Sequence, residues 1–394
     1  MKKNKIVFLL ILGLMFICNS STYAQQKKEI QLKGVVFDET KMTIPYASVG
    51  IPKKNIGTAS NDDGGFFIGL DKSNLVDTLE ISSIGFKTFK IKVEDYLNRK
   101  EKNIILKEDI VSLAEVKIVS PNSIVKNALK NLKKTTLSSK HQINMLYRRS
   151  SVENGKTRFL VEHYLKVFDY GPSATTLSGI EITEARKSAD YRYVFRKQPA
   201  HSVNVMTQVD PIRQGISLKS YKWKKVDNTS YDGEELVIIE GTEKDDEKNR
   251  IKLYIGIYTY GIYKMELSRL NAVYIYKKDN NGKLVLSYHN REAHFVETID
   301  DQKRKILNLK TPKVECAYRQ EVIVLSVESD KKKFDIKNLI YDKKDIGDYD
   351  VKYNKSFWEN TSLPPETAFY KKSVKELESI YGVPLETQFN AVNK

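Results

Sequence analysis

Ile251, Leu253, Ile255 and Ile257 fall on every second position, with Lys252, Tyr254 and Tyr258 on the opposite parity. A period of two is met only by an extended strand that turns one face to apolar matter. The same period runs through Phe159, Val161, His163, Leu165 and Val167, which follow Asn154-Gly155, a dipeptide suited to a tight hairpin. Asn280-Asn281-Gly282 separates another pair of strands at 272–277 and 283–288. Long alternating strands joined by tight turns imply a large antiparallel sheet with one wet face. A sheet of that width must curl or be covered.

Disulfides give this fold no help. The sequence holds two cysteines, Cys18 and Cys316, and the first lies in a leader-like segment. Lys2, Lys3 and Lys5 precede an apolar run at 6–17, and a polar stretch then ends in Thr22-Tyr23-Ala24. This is the pattern of a secretory signal peptide at 1–24, cut after Ala24. The apolar run is too short for a permanent membrane span. Phe16 and Ile17 stand before Cys18 where a lipoprotein cleavage site carries small residues, so ordinary cleavage is expected. That leaves Cys316 alone, and the fold must rest on its apolar cores. No later segment is a transmembrane helix candidate. Loss of the three leader lysines lowers the formal charge from +16 to +13, with 63 basic residues against 50 acidic. Such a chain is drawn to anionic surfaces, lipid headgroups or anionic glycans among them, while nucleic acid is a poor partner for an exported protein.

Residues 29–107 read as short strands divided by turns. Ile30, Leu32 and Val36 share a parity around Gly34, as do Ala47, Val49 and Ile51, and Phe66, Ile68 and Leu70. Pro45 precedes a strand, where its missing N–H does least harm. Asn61-Asp62-Asp63-Gly64-Gly65 supplies turn residues; it lacks the ligand spacing of a calcium loop and reads as a hairpin turn. Strands this short and regular indicate a sandwich.

Four ordered motifs here resemble the carboxypeptidase regulatory-like (transthyretin-like) domain. They are Gly34-Val35-Val36-Phe37-Asp38, Ile44-Pro45-Tyr46-Ala47-Ser48-Val49, the run from Gly57-Thr58-Ala59-Ser60 through Gly65-Phe66-Phe67, and Ser83-Ile84-Gly85-Phe86-Lys87-Thr88. The last of these, with Leu113-Ala114-Glu115-Val116-Lys117-Ile118, is also similar to the N-terminal extensions of TonB-dependent outer-membrane receptors from Bacteroidetes-type bacteria. The resemblance covers about a fifth of the chain. It implies a structural or adhesive module, because this domain accompanies metallo-carboxypeptidases without carrying catalytic residues of its own.

Ser120-Pro121-Asn122-Ser123 then breaks the chain. Ile124, Val125, Ala128, Leu129 and Leu132 follow at helical spacing, which predicts a short amphipathic helix ending near Lys134. Lys126, Lys130, Lys133 and Lys134 form its solvated face. The strand-rich remainder is similar in organisation to the half-barrel of periplasmic lipoprotein carriers, with no motif to carry that likeness. Its tail, with Ser356-Phe357-Trp358-Glu359-Asn360, a short helix at 373–380 and Tyr381-Gly382-Val383-Pro384-Leu385-Glu386, resembles that of exported proteins paired with the regulatory-like domain.

A search for chemistry finds little. His289-Asn290-Arg291-Glu292 has the H-x-x-E spacing of two zinc ligands in metallo-carboxypeptidases, and with His294 it misses H-x-x-E-H by one residue. On a strand, however, His289 points away from both Glu292 and His294. No catalytic residue and no cofactor are expected, and His289, Glu292 and His294 stand only as weak metal candidates. His163 on an apolar strand face reads as a core histidine, and Cys316 as a buried, inert thiol. Gly215-Ile216-Ser217-Leu218-Lys219 lacks the second glycine of a nucleophile elbow. Tyr191 and Tyr193 interleave with Arg192, and Tyr221 and Trp223 with Lys222 and Lys224. Such runs can stack sugars, although a strand with an aromatic inner face and a basic outer face gives the same pattern. Tyr191, Arg192, Tyr193, Tyr221 and Trp223 are the ligand-binding candidates.

The expected architecture is mainly β. A Greek-key β-sandwich at 28–108 leads through a linker with a short helix at 109–138 to a large antiparallel sheet or half-barrel at 139–394, with few helices. The expected function is that of a non-catalytic exported envelope protein. Its sandwich would dock or space, and its larger domain would bind an envelope partner or an apolar ligand. The alternative is an envelope peptide or glycan hydrolase.

Overall fold

The computed structural model describes residues 30–109, 120–190, 202–340 and 345–392; the leader, the 113–118 motif, Tyr191, Arg192 and Tyr193 lie outside them. The alternating segments of the N-terminal region form β1 (Ile30–Phe37), β2 (Ser48–Ile51), β3 (Ile56–Ala59), β4 (Gly65–Leu70), β5 (Thr78–Ser82), β6 (Phe89–Lys92) and β7 (Asn103–Ile105), with helix α1 (Val93–Asn98) before the last. They make two facing sheets, β4-β1-β7 and β3-β2-β5-β6. Leu32, Val36, Val49, Phe66, Ile68, Leu79 and Ile81 close the core between them. Gly34 is required where β1 meets α1 and β7. A Cβ there would lie 2.2 Å from the Lys102 carbonyl oxygen and 2.5 Å from the Tyr96 hydroxyl.

The second region is one antiparallel sheet. Its strands are β8 (His141–Glu153), β9 (Lys156–Asp169), β10 (Ser178–Lys187), β11 (Tyr221–Tyr231), β12 (Glu234–Glu243), β13 (Arg250–Gly256), β14 (Ile262–Leu267), β15 (Ala272–Lys278), β16 (Leu284–Thr298) and β17 (Lys313–Glu328). β11 to β16 form one meander and β8 to β10 another, and β17 is inserted between β16 and β8. The turns follow their chemistry: Asn154 and Gly155 have φ of 48° and 76°, Asp232 and Gly233 have 50° and 75°, as a two-residue hairpin with two left-handed residues demands.

The sheet curls into a half-barrel. Residues from β8 through β17 share one buried core with the helix α2 (Pro121–Thr135), whose Val125 and Ala128 are fully buried. Ser120 caps that helix by accepting from Ser123 N. The predicted connector helix is therefore a filling element of the concave face. Two short helices, α3 (Val205–Gln208) and α4 (Pro211–Gln214), add Met206 and Ile212 to the same core. An outlying helix, α5 (Asp301–Ile306), follows β16. On the convex side α6 (Lys355–Asn360), α7 (Ala368–Tyr381) and α8 (Leu385–Val392) cover β8, β9 and β17 through Phe357, Trp358, Tyr370, Leu377 and Phe389. Among the described residues no helix is long and apolar enough to cross a membrane.

The sandwich is fixed to this wall. Ile56 of β3 pairs with Ser326 of β17, so the two regions share a sheet edge. Tyr46 stacks on Tyr288 at 4.4 Å with its hydroxyl on Asp62, and it holds a left-handed backbone at φ 59°, a strained state for a bulky residue. The 61–64 turn is indeed a turn: Asn61 Oδ1 accepts from Asp63 N and Gly65 N. It is also a latch, because Asn61 Nδ2 donates to the Pro365 carbonyl at 2.7 Å and Asp62 meets Arg319 at 2.7 Å.

Candidate functional site

Strand register brings polar side chains from six strands into rows on the concave face. Across β9-β8-β17-β16-β15 one row reads His163, Tyr147, Val322, His289, Tyr274. The next, starting on β10, reads Lys187, Val161, Arg149, Gln320, Arg291, Ala272. Ser151 lies one step further, opposite Phe159 and Tyr318. Residues directly opposite share a face with Cβ atoms about 5 Å apart, so these groups form a continuous belt. Apolar clusters flank it, the main core on one side and Phe159, Val161, Tyr318 and Phe295 on the other.

The belt is buried and under-satisfied. Arg149, Ser151, His163, His289 and Gln320 are each at most 3% exposed. Even so, among the described residues Arg149 Nε, Ser151 Oγ, His163 Nδ1, His289 Nε2, Arg291 Nε and both amide atoms of Gln320 lack a hydrogen-bond partner. A buried group left unpaired costs about 1–3 kcal/mol. Six such residues amount to something on the order of 10 kcal/mol, the whole net stability of a typical domain. The described residues supply none of these atoms with a partner.

Burial, followed by the charges of Arg149 and Lys187, pushes His163 well below the usual histidine range. Burial likewise holds His289 down at about 3. His289 stacks on Tyr274 at 4.1 Å and its Nδ1 lies 3.0 Å from the Val273 carbonyl oxygen. Nδ1 therefore carries the proton, and Nε2 faces the belt as an acceptor. The cations are unevenly matched. Arg149 bonds Asp345 at 2.9 Å, and Lys187 donates to the Gly347 carbonyl at 2.7 Å with Asp348 and Asp350 near. Among the described residues no carboxylate pairs with Arg291.

The sequence-level candidates fare differently. His289 faces inward, whereas His294 is exposed and pairs with Glu292 at 2.7 Å on the other face. The three do not converge, and no group of metal-ligating residues forms among the described residues. Tyr221 and Trp223 pack on the margin of the main core. The Trp223 ring leaves no room for a Cβ at Gly241, and its Nε1 donates to the Leu218 carbonyl at 3.2 Å. Arg149, Gln320 and Arg291 went unnoticed in sequence because a polar residue in an alternating strand is assigned to water by default. Cys316 is buried and burial pushes its thiol up to about 12. A second concavity of about 450 Å³ lies between sandwich and sheet, lined by Pro45, Tyr46, Tyr231, Tyr254, Lys264 and Glu266. Its charged groups satisfy one another, with Lys264 at 2.6 Å and the Tyr254 hydroxyl at 3.2 Å from Glu266. The belt is thus the stronger site.

Residues 32–118 match the family model of the CarboxypepD_reg-like domain. No curated protein matches the chain significantly. Among solved structures the chain is similar to a DUF1329 family protein from Desulfovibrio piger (12% identity, 55% of this chain and 96% of that one, TM-score 0.27). It is also similar to a putative outer membrane lipoprotein-sorting protein domain from Vibrio parahaemolyticus (9%, 55% and 94%, 0.27) and to a LolA superfamily protein from Nitrosomonas europaea (14%, 52% and 93%, 0.23).

Proposed function

We propose that this chain is a non-catalytic exported envelope protein whose half-barrel binds a guest on its concave face. The CarboxypepD_reg-like sandwich, latched to the convex wall, serves as its docking and spacing module. The belt of buried polar groups carries this reading, since the described residues leave them without partners and a bound molecule would supply them. Export rests on the leader-like residues 1–24, and the basic excess suits anionic lipid or glycan surroundings. A wholly apolar guest fits less well than the sequence suggested, because α2 already occupies the apolar part of the concave face.

The test is native mass spectrometry of protein purified from the envelope of a Gram-negative host, together with metal analysis. A small molecule released on denaturation is the expected result. One equivalent of zinc, lost in His289→Ala and accompanied by peptide or glycan cleavage, would instead establish the hydrolase.

A further inference from the structure

The atoms that lack partners specify what the guest must offer. Arg149 Nε and Arg291 Nε can only donate, the Gln320 amide offers two further N–H groups, and Ser151 can donate its hydroxyl hydrogen. Arg149 and Arg291 are two strand spacings apart with Gln320 between them, about 10 Å between backbones. Arginine side chains on a concave wall span that gap and can close on one group from both sides. No carboxylate among the described residues pairs with Arg291, and Asp345 is engaged by Arg149. The centre of the belt is therefore a donor-rich, cationic seat. The acceptors lie to its sides, at His163 Nδ1 and His289 Nε2 in the neighbouring row, with Gln320 Oε1 between.

We infer that the belt is a binding site for an oxyanion, a carboxylate or phosphate held between Arg149 and Arg291 over the Gln320 amide, with hydroxyl groups beside it that donate to the two histidines. This rests on the reading of the concave face as the guest's seat. A cation would meet the Arg291 guanidinium, with which no carboxylate among the described residues pairs. A wholly apolar guest would leave all seven polar atoms unpaired. A hydroxylated anion satisfies donors and acceptors together, as free phosphate, a sugar acid of a glycan or a phosphorylated lipid headgroup does.

The experiment titrates the purified full-length protein with inorganic phosphate, glucuronate and decanoate at constant ionic strength, following Tm and calorimetric heat. Saturable stabilisation by phosphate or glucuronate is expected, and whichever of the two binds more tightly indicates the source. Arg291→Gln should weaken that binding about tenfold or more, the loss expected for one charge-assisted hydrogen bond. Gln320→Leu removes two unpaired atoms, so its Tm without anion should be no lower than wild type while the anion-dependent rise disappears. That pair of results separates a ligand site from a structural one. No response to any of the three, a response to decanoate alone, or anion binding unchanged in both variants would overturn the oxyanion site. A neutral or apolar guest found by native mass spectrometry would leave the binding-protein reading standing and remove this one. The absence of any guest, with no anion response, removes both.

Discussion

Glu162 illustrates how this wall tolerates charge. Its side chain is 1% exposed, yet it lies between Arg148 at 2.8 Å and Arg186, with the Tyr370 hydroxyl at 3.2 Å. Burial alone would raise its pKa, but Arg186 and Arg148 outweigh that and hold it down to about 2. A carboxyl depressed on folding stabilises above its unfolded pKa, and that contribution fades as pH falls through the folded value. Stability on the order of 3 kcal/mol should therefore be lost between about pH 4.5 and 2. Glu162→Gln should lose about 3–5 kcal/mol at pH 7, because two buried cations are left under-compensated, and should show a flatter acid limb in urea melts. Glu184 behaves oppositely. Burial raises it to about 7, Asn354 is its weak partner at 3.3 Å, and Oε2 is unpaired. Its folded form favours the proton, so folding carries a cost that grows as pH rises from about 4.5 to the folded value and is complete above it. Glu184→Gln should raise Tm at pH 8 and leave it unchanged at pH 4; equal shifts at both would refute this assignment.

At the scale of elements, α2 acts as a piece of core. Val125→Ala should cost about 2 kcal/mol, measured by urea denaturation, through the cavity left beneath the helix; a surface connector would lose almost nothing. The strands and turns were readable beforehand because each depends on local chemistry. Ile251, Leu253 and Ile255 are all buried on β13, as their period requires. Asn154-Gly155 turns the chain because only such residues accept two positive φ angles cheaply. The destination of α2 was not readable, because Val125 and Ala128 announce an apolar face without naming its partner. Nor was the belt. Arg149 and Gln320 stand opposite one another only after β17 inserts beside β8, and no single strand records that pairing. The 61–64 turn was read correctly as a turn, but its latch with Arg319 and Pro365 spans 257 and 304 residues of chain.

The whole molecule is tied together by alternating charges on the convex side. Asp62 meets Arg319, Arg319 approaches Glu321 at 3.7 Å, Glu321 bonds Arg148 at 2.9 Å, and Arg148 and Arg186 share Glu162. The chain of ions begins in the sandwich and ends under the C-terminal helices. Wild-type protein should therefore unfold in one calorimetric transition. Arg319→Ala, which takes the guanidinium from Asp62 and removes a partner of Glu321, should split it in two, with the sandwich melting first. A single transition at an unchanged temperature would show that the latch contributes nothing. β17 carries a further implication. Arg319 and Glu321 point outward to the sandwich, while Gln320 between them points inward to the belt. The belt proposed to line the guest site and the fastening of the sandwich are thus one residue apart along the chain, on opposite sides of a wall one strand thick. A reporter dye at the 61–64 turn should accordingly sense occupancy of the interior without ever touching what is bound there.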